Sequence, residues 1–408
     1  MLKKRSSQVE FVALMASLMS IAALSLDALL PALDIIGLAV GTSNPADQQL
    51  LIILFFFGLG VGPLLFGPVS DSIGRKPVVY MGFALFIIAS FLCIWAQNLE
   101  TMIAGRILQG IALSAPRTLS IAMIRDSYSG DYMARIMSFV TVVFILVPII
   151  APASGKFVLD HYNWQAIFYV QVFFSILVVL WFWRRQPETL AEEHKTKLRV
   201  ALFTDGLKEI LKYRTTIAYT IISGFIVGSF LVYLSTSQQI FQLQYDLKNE
   251  FPYIFAGLAL TIGSAIFLNG TLVLRLGMRL LISISLIAFF LISLGYILLF
   301  YNSANPGVEV LLLFFGFQFF AIGFLFGNLR AIAMQPVGHI AGMAAAITGL
   351  VSTLMAVPIS TYIGRFVTDS ALPLFIGFLV CSGLSLLILG YVEIAERKEA
   401  KRKLKSAS

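Results

Sequence analysis

Three ionisable side chains lie deep inside apolar stretches of the sequence, where they could carry charge or protons. Asp27 lies in LSLDALLPALD, residues 24–34, and is the one acidic residue well inside any such stretch. Arg106 and Arg117 both lie in GRILQGIALSAPR. Because an ionisable group at membrane depth is costly, a functional role is the default hypothesis for each. We interpret Asp27 as a group that takes up and releases a proton; the alternative is a neutral Asp27 that is hydrogen-bonded within a helix bundle.

Pro31 follows Asp27 by four residues. Proline has no N–H, so the carbonyl group of Asp27 would lose its helical hydrogen bond. The spacing therefore predicts a local kink beside the carboxyl group.

The two arginines share one face of a helix. They are eleven residues apart, and eleven helical residues at about 100° each return to within about 20° of the same direction. A helix face that carries two guanidinium groups cannot face lipid. Arg117 has two interpretations: a salt-bridge or carbonyl partner near the inner mouth, or a ligand for an anionic group on a substrate.

The composition indicates a membrane protein. Of 408 residues, 59% are hydrophobic and 12% charged, and the mean hydropathy is +0.90. About 20 apolar residues cross the hydrocarbon core of roughly 30 Å as a helix. Runs of this kind occur at 9–33, 48–69, 77–97, 99–124, 135–157, 164–184, 215–237, 251–273, 279–301, 307–330, 341–364 and 371–393. The sequence therefore predicts an all-α membrane protein with twelve transmembrane helices in two six-helix pseudo-symmetric halves.

The basic residues predict the orientation. With a cytoplasmic N-terminus, 24 of the 29 Lys and Arg residues fall in cytoplasmic segments. The outer loops hold only Lys156, Lys248 and Arg365, and Arg106 and Arg117 lie within a span. By the positive-inside rule both termini are cytoplasmic. The net charge of +8 thus reflects topology, and we expect no nucleic-acid partner.

The expected organisation has four parts. They are an N-terminal six-helix bundle (1–184), a cytoplasmic linker with an amphipathic helix (185–214), a C-terminal six-helix bundle (215–393) and a basic cytoplasmic tail (394–408). Parallel halves joined by a long loop are typical of transporters that hold the substrate near the midplane. The amphipathic part of the linker is expected along the inner membrane surface.

Enzyme motifs do not occur in the sequence. It contains no Walker A sequence, no HExxH and no nucleophile elbow. The two cysteines, Cys93 and Cys381, lie in separate predicted spans. We therefore expect a protein that is not an enzyme and that has no metal site and no cofactor.

The loop GPVSDSIGRKPVV, which begins at Gly67, joins the second and third predicted spans. Gly74 permits a tight turn, and Asp71 can face a helix N-terminus, where a negative charge is favoured. Arg75 needs an anion, and Asp126 at the inner end of the fourth span is available. The loop resembles the signature of the major facilitator superfamily. That resemblance implies that the loop contacts the eleventh span and latches one transport state.

Two further stretches resemble motifs of the same superfamily. GRILQGIAL resembles its Arg-x-x-Gln-Gly motif, which implies that Arg106 couples substrate to proton. VPIIAPASGK, in which Pro148, Pro152 and Gly155 lie, resembles the Gly-Pro-x-x-Gly-Gly signature of drug:proton antiporters, although Ala151 and Lys156 replace its first and last glycines. The N-terminal half as a whole resembles exporters of the bicyclomycin-resistance type, and the C-terminal half matches only in layout.

The predicted function is that of a proton-coupled secondary transporter, an antiporter that exports small organic compounds, chiefly drugs, from the cytoplasm by alternating access. It is expected as a monomer in the lipid bilayer of the bacterial inner membrane. Candidate substrate-binding residues are Arg117 and, in the tenth span, Gln318. The two arginines leave open an alternative, export of a specific anionic metabolite such as a carboxylate siderophore. A transporter-like scaffold or sensor is a third possibility, disfavoured by the intact loop motif and by Asp27.

Overall fold

The structure, a computed structural model, describes residues 7–196, 201–302 and 305–407. The first residues of the predicted N-terminal bundle, residues 197–200 of the predicted linker and the last residue of the predicted tail lie outside it. Within the described residues the α-helices are α1 (Gln8–Asp27), α2 (Leu33–Ala39), α3 (Pro45–Ile73), α4 (Arg75–Ile94), α5 (Leu99–Ser127), α6 (Gly130–His161), α7 (Trp164–Arg185), α8 (Ala201–Leu211), α9 (Arg214–Gln238), α10 (Phe251–Leu276), α11 (Met278–Phe300), α12 (Val308–Met334), α13 (Ala341–Gly364) and α14 (Leu372–Ala407).

In the described part of the chain, eleven helical stretches are long and apolar enough to cross a membrane. The stretch Val308–Gly364 contains two such helices, α12 and α13, separated by a 3₁₀ turn in which Val337 leaves the helical conformation (φ −112°, ψ 22°). Each of the twelve predicted apolar runs coincides with a helical stretch. The prediction of an all-α membrane protein is thereby confirmed.

Asparagine side chains start several of these helices. The Oδ1 atom of Asn98 accepts a hydrogen bond of 2.8 Å from the backbone N–H of Thr101 at the start of α5. Asn44 caps α3 in the same manner, with Pro45 in the first helical position. Such caps satisfy backbone N–H groups that have no partner within the helix.

The chain forms two compact units. Unit 1 consists of Met1–Val200 and Ser235–Ala259, and unit 2 of Ala201–Leu234 and Leu260–Ser408. The first part of α9 belongs to unit 2, while its last residues belong to unit 1. The division into bundles, linker and tail expected from the sequence stays a prediction.

Small residues bring the helices of unit 1 into close contact. A Cβ atom added to Gly110 of α5 would lie 3.0 Å from the backbone nitrogen of Leu59 on α3. A Cβ atom added to Gly58 would lie 2.8 Å from the backbone nitrogen of Ile111 on α5. Glycine thus lets the two backbones touch, as is common between membrane helices. This contact sets the position of α5, which carries both intramembrane arginines.

Unit 2 has an aromatic core. The rings of Tyr296 on α11 and Phe375 on α14 stack with centroids 3.7 Å apart. Asn269 on α10 and Asn328 on α12 form a reciprocal amide pair, in which Asn328 Nδ2 donates to Asn269 Oδ1 at 2.7 Å. Each amide group donates a hydrogen bond to the oxygen of the other, so neither side chain places an unsatisfied polar group in the bundle.

The linker helix α8 packs within unit 2. A Cβ atom added to its Gly206 would lie 2.6 Å from Cγ of Met343 on α13. Nε2 of His339 lies 3.5 Å from Oε1 of Glu209. The placement of α8 along the membrane surface stays a prediction.

Candidate functional site

Asp27 lies at a break in the first membrane span. Helix α1 ends at Asp27, Pro31 forms part of a 3₁₀ turn at Leu30–Ala32, and α2 starts at Leu33. The break falls where the missing N–H of Pro31 predicts it. The Asp27 side chain is buried, with 4% of the residue exposed. The kink and the carboxyl group therefore occur together.

The carboxyl group of Asp27 has no hydrogen-bond donor and no cationic partner among the residues that the structure describes. A charge in such surroundings is costly because neither water nor an opposite charge stabilises it. The predicted alternative, a carboxyl group held by hydrogen bonds within the bundle, therefore receives no support from the described contacts. The geometry suits a group that is neutral while enclosed and charged when water reaches it.

Helix α6 passes close to this break. A Cβ atom added to Gly155 would lie 2.8 Å from the carbonyl carbon and 2.9 Å from Cα of Ala28, the residue after Asp27. Pro152 is buried one turn earlier, and Pro148, one turn before that, is half-buried. Only glycine permits this approach of two backbones. The predicted antiporter motif is thus placed beside Asp27 by the packing of α6 on α1.

Arg106 is fully buried on α5, and three groups receive its hydrogen bonds. Its Nε donates to the carbonyl oxygen of Leu51 at 3.0 Å. Its Nη1 donates to the carbonyl oxygen of Ser25 at 3.2 Å and to Oε1 of Gln109 at 2.7 Å. The guanidinium carbon also lies 4.3 Å from the ring centroid of Phe55. Arg106 thereby joins α1, α3 and α5.

The described hydrogen bonds of Arg106 do not include Asp27 or any other carboxylate. Backbone carbonyls and an amide oxygen hold the guanidinium instead. Arginine can form such contacts because its planar group presents five N–H donors in fixed directions. Gln109 is oriented in turn, since its Nε2 donates to Ser90 Oγ at 2.8 Å and Ser90 Oγ donates to the carbonyl of Phe86 at 2.7 Å.

The two candidate substrate ligands differ in their surroundings. Arg117 lies on the same unbroken helix α5 as Arg106 and is half-buried. Gln318 on α12 is fully buried, and its Nε2 donates to Ser293 Oγ at 2.5 Å and to the carbonyl of Phe289 at 3.3 Å. The amide group of Gln318 thus ties α12 to α11, and a substrate could use its donor only if this contact opened.

The loop between α3 and α4 turns at Gly74, whose φ of +109° is a conformation that favours glycine. Arg75 is 5% exposed, and its Nε donates to Oδ2 of Asp126 at 3.0 Å. Its Nη1 donates to Ser70 Oγ at 2.7 Å and also contacts the carboxylate of Asp71. The anion expected for Arg75 at Asp126 is present. Gly67, where the motif begins, accepts a hydrogen bond of 2.7 Å from Ser70 Oγ at its carbonyl oxygen.

Glu188 is the residue of this network that the sequence reasoning missed. It follows α7, and its carboxylate accepts backbone hydrogen bonds from Arg75 at 3.0 Å and Lys76 at 2.9 Å, the first two residues of α4. The backbone N–H groups of Thr189 and Leu190 donate to it as well. Partial burial raises the pKa of Glu188, but these four hydrogen bonds outweigh it and hold the pKa below its ordinary value. An anion at a helix N-terminus is favoured by the unpaired N–H groups and by the helix dipole.

A sequence signal for Glu188 existed. The segment Gln186-Pro187-Glu188 ends the sixth span at the same membrane face as the loop, so an acidic residue there lies within reach of the N-terminus of α4. The packing is close, because a Cβ atom on Gly74 would lie 2.7 Å from Glu188 Oε2. Thr189 Oγ1 also donates to Asp126 Oδ2 at 3.2 Å, which joins this segment to the Arg75 ion pair.

In the part of the chain that the structure describes, no three His, Cys, Asp or Glu side chains are grouped so that they could hold a metal ion.

Known proteins resemble this chain over most of its length. The sequence profile of the Major Facilitator Superfamily matches residues 15–360. A bicyclomycin resistance protein homolog of Haemophilus influenzae is 26% identical over 364 residues, which cover 87% of this chain and 88% of that protein. The multidrug resistance protein MdtL of Escherichia coli O157:H7 is 27% identical over 360 residues, which cover 86% of this chain and 88% of that protein.

The fold is that of solved transporters. The crystal structure of a D-xylose–proton symporter superposes with a TM-score of 0.74 at 15% sequence identity, over 94% of this chain and 96% of that one. At this identity the likeness concerns the fold alone. The family profile, which spans well over half of the residues, is the stronger finding. The chain belongs to the major facilitator superfamily of membrane transport proteins and is not an enzyme.

Proposed function

We propose that this transporter exports small organic compounds, drugs among them, from the bacterial cytoplasm in exchange for protons and by alternating access. The observation that carries the proposal is Asp27, a buried carboxyl group at a helix break without an ionic partner among the described residues. The relatives that are named for bicyclomycin and multidrug resistance support drugs as the substrate class.

In the proposed cycle Asp27 is neutral while it is enclosed and releases its proton when water reaches it. A cationic substrate competes with the proton, because its positive group near the carboxylate replaces the charge that the proton supplied. Arg106 holds α1 through the carbonyl of Ser25, so a change of charge at Asp27 acts on a helix segment that is fixed on one side. Gly155 keeps α6 against the break on another side.

The orientation is part of the proposal. The excess of Lys and Arg in one set of loops supports cytoplasmic termini in the bacterial inner membrane. The loop with Gly67 and Asp71 then lies on the cytoplasmic side, together with Glu188. We assign to this network the role of latching one transport state, and the charged contacts of Arg75 support it. A monomer is sufficient for the proposed mechanism.

A direct test is proton release from the purified protein in weakly buffered detergent solution. A panel of cationic, neutral and anionic compounds is added, and the pH change is recorded with a dye. We expect release with lipophilic cationic compounds and none with Asp27→Asn. If none of the compounds releases a proton from the wild-type protein while some of them bind, exchange at a carboxyl group is the wrong mechanism.

One observation favours a second candidate, export of an anionic metabolite such as a carboxylate siderophore. The described hydrogen bonds of Arg106 go to two carbonyl oxygens and an amide oxygen and to no carboxylate, and a second arginine, Arg117, lies half-buried on the same helix. Guanidinium groups bind carboxylates well. Arg117→Ala distinguishes the candidates: loss of binding of anions with drug efflux retained would favour the metabolite, and unchanged handling of all compounds would leave Arg117 a structural role.

A further inference from the structure

A cluster of buried glutamine side chains lies in unit 1 at the membrane face remote from the Gly67 loop. Gln49, near the start of α3, donates from Nε2 to Oε1 of Gln239 at 2.8 Å. Gln239 follows directly after α9 and lies 190 residues later in the chain. Both residues are less than 5% exposed. One side-chain hydrogen bond therefore joins the second span to the far end of the seventh.

The seventh span changes its winding at this contact. The residues Gln239–Gln244 form a π-helical turn, in which Tyr245 N–H donates to the carbonyl of Ile240 at 3.2 Å. Gln238 Nε2 donates to Gln242 Oε1 at 2.9 Å, so a second amide pair lies beside the first. Turns of the π type are rare and occur often at functional sites. At this turn Gln239 bonds α3, and the neighbouring Gln238 lines the same narrow crevice as Gln48 and Gln49.

The cluster also touches the segment that follows Asp27. A Cβ atom added to Gly37 of α2 would lie 2.5 Å from Nε2 of Gln48, so glycine makes room for this amide group. The narrow crevice lies between these parts, lined by Leu33 and Ser235 as well as by the glutamines. The amide contact thus lies at the continuation of the span that carries the proposed proton site.

The lining residues of this crevice are uncharged. An amide pair can separate at modest cost, because both groups form hydrogen bonds with water once they are exposed. A buried ion pair would leave uncompensated charges when it opened. The network of Arg75, Asp126 and Glu188 at the opposite face is charged, whereas this contact is neutral. An amide contact is therefore suited to form and break repeatedly without a change of charge.

We propose that the bond between Gln49 and Gln239 is a neutral latch, which closes the transport path at this face and opens once in every cycle. The inference rests on the alternating access that is part of the proposed function, but it does not need proton coupling. With the proposed orientation the latch lies at the outer face. It would hold the end of the seventh span on the second span until substrate is released outward.

The test uses cross-linking in proteoliposomes. The buried native Cys93 and Cys381 are first changed to serine. Cysteines then replace the two glutamines of the latch (Gln49→Cys with Gln239→Cys). A bis-methanethiosulfonate reagent as long as two glutamine side chains joins them, and dithiothreitol releases them. The activity measured is substrate counterflow, which requires both faces to open but no proton gradient. We expect at least a tenfold loss on cross-linking and recovery on reduction.

A control pair lies entirely within unit 2. Asn305 and Ser370 form a side-chain hydrogen bond of 3.1 Å between two loops. The pair Asn305→Cys with Ser370→Cys should cross-link without loss of counterflow. Unchanged counterflow after cross-linking of positions 49 and 239, or failure of these positions to cross-link in any condition, would overturn the proposal. If the transporter proves not to be coupled to protons, the expected counterflow results stay the same, because counterflow needs no proton gradient.

A second measurement needs no transport. Ser235→Cys places a thiol in the crevice, where the native residue is 2% exposed. Gln49→Ala and Gln239→Ala should each raise the rate of its labelling by a membrane-impermeant maleimide several-fold. Equal labelling rates with and without the glutamines would contradict the latch.

Discussion

The guanidinium group of Arg106 donates a hydrogen bond of 3.2 Å to the backbone carbonyl of Ser25, two residues before Asp27. The same group reaches the carbonyl of Leu51, so it fixes α1 on α3 at the level of the helix break. Arg106 thus holds the backbone next to Asp27 in place and makes no described contact with the Asp27 carboxyl group. The charge of Asp27 can therefore change without the loss of an ion pair to Arg106.

Arg106→Lys should destabilise the protein although it keeps the charge. A lysine ammonium group cannot reproduce the fork of donors that reaches Leu51, Ser25 and Gln109. Unsatisfied buried acceptors cost about 1–3 kcal/mol, which thermal unfolding in detergent can resolve. Arg125→Lys, at an exposed position of the same helix, is the matched control, and an equal loss of stability in both variants would contradict the role given to Arg106.

Gly155→Ala should displace α6 from the break in the first span. The added methyl group would meet the backbone of Ala28, which cannot rotate away. Overpacking of this kind costs about 1–3 kcal/mol, and transport should fall with it. Gly257→Ala on α10 has open space around the added Cβ atom and should be tolerated. If both variants transport alike, the contact between Gly155 and Ala28 does not position the site.

Glu188→Gln should lower stability at neutral pH and have little effect in acid. The pKa of Glu188 is held below its ordinary value, so its contribution is complete above the ordinary carboxyl value of about 4.3 and is lost as the pH falls through the folded-state pKa. The carboxylate is partly covered by the loop, but the residue as a whole is exposed to solvent, so we expect an effect of about 0.3–1 kcal/mol.

Thermal unfolding at pH 7 and below pH 4 gives this comparison. The control is Glu192→Gln in the same linker, where the carboxylate is 86% exposed and pairs only with Lys195 among its described contacts. A difference between wild type and Glu188→Gln that stays constant down to the lowest pH would mean that the charge of Glu188 is not what stabilises the loop.

Asp71→Asn and Asp126→Asn should differ in their effects. The carboxylate of Asp126 is 16% exposed and bonds the buried Arg75, so its loss should destabilise the fold more. Asp71 is 46% exposed, and its loss should mainly shift the population toward the inward-facing state. Loss of a charge–dipole contact of Asp71 worth about 0.3–2 kcal/mol would change the ratio of inward-facing to outward-facing protein by about 2- to 30-fold. Double electron–electron resonance distances between labelled halves measure this, and an unchanged distribution for Asp71→Asn would exclude a latch.

The sequence predicted the features that depend on neighbours in the chain. Apolar length located the helices, the missing N–H of Pro31 located the break, and the spacing from Gly67 to Arg75 located the turn. The pairing of Arg75 with Asp126 followed because each charge needs a partner near the end of a span. These features follow from local covalent geometry and from the cost of burying charge.

Contacts between segments that are distant in the chain could not be predicted from such local features. The acceptors of Arg106 are backbone carbonyls, which every residue possesses, so residue types gave no signal for them. Gln318 is a candidate substrate ligand by sequence, and the contact of its amide group with Ser293 on a neighbouring helix has no signal in the sequence. The pair of Gln49 and Gln239 depends on how a π-helical turn lies against α3, which neither segment encodes alone.

The central claim is that the proton exchanged for substrate is carried by Asp27. The most direct measurement compares gradient-driven transport with counterflow for Asp27→Asn in proteoliposomes, with Asp34→Asn as the half-buried acidic control. We predict that Asp27→Asn loses transport driven by a proton gradient while counterflow persists, and that Asp34→Asn retains both. Full gradient-driven transport by Asp27→Asn would contradict the account.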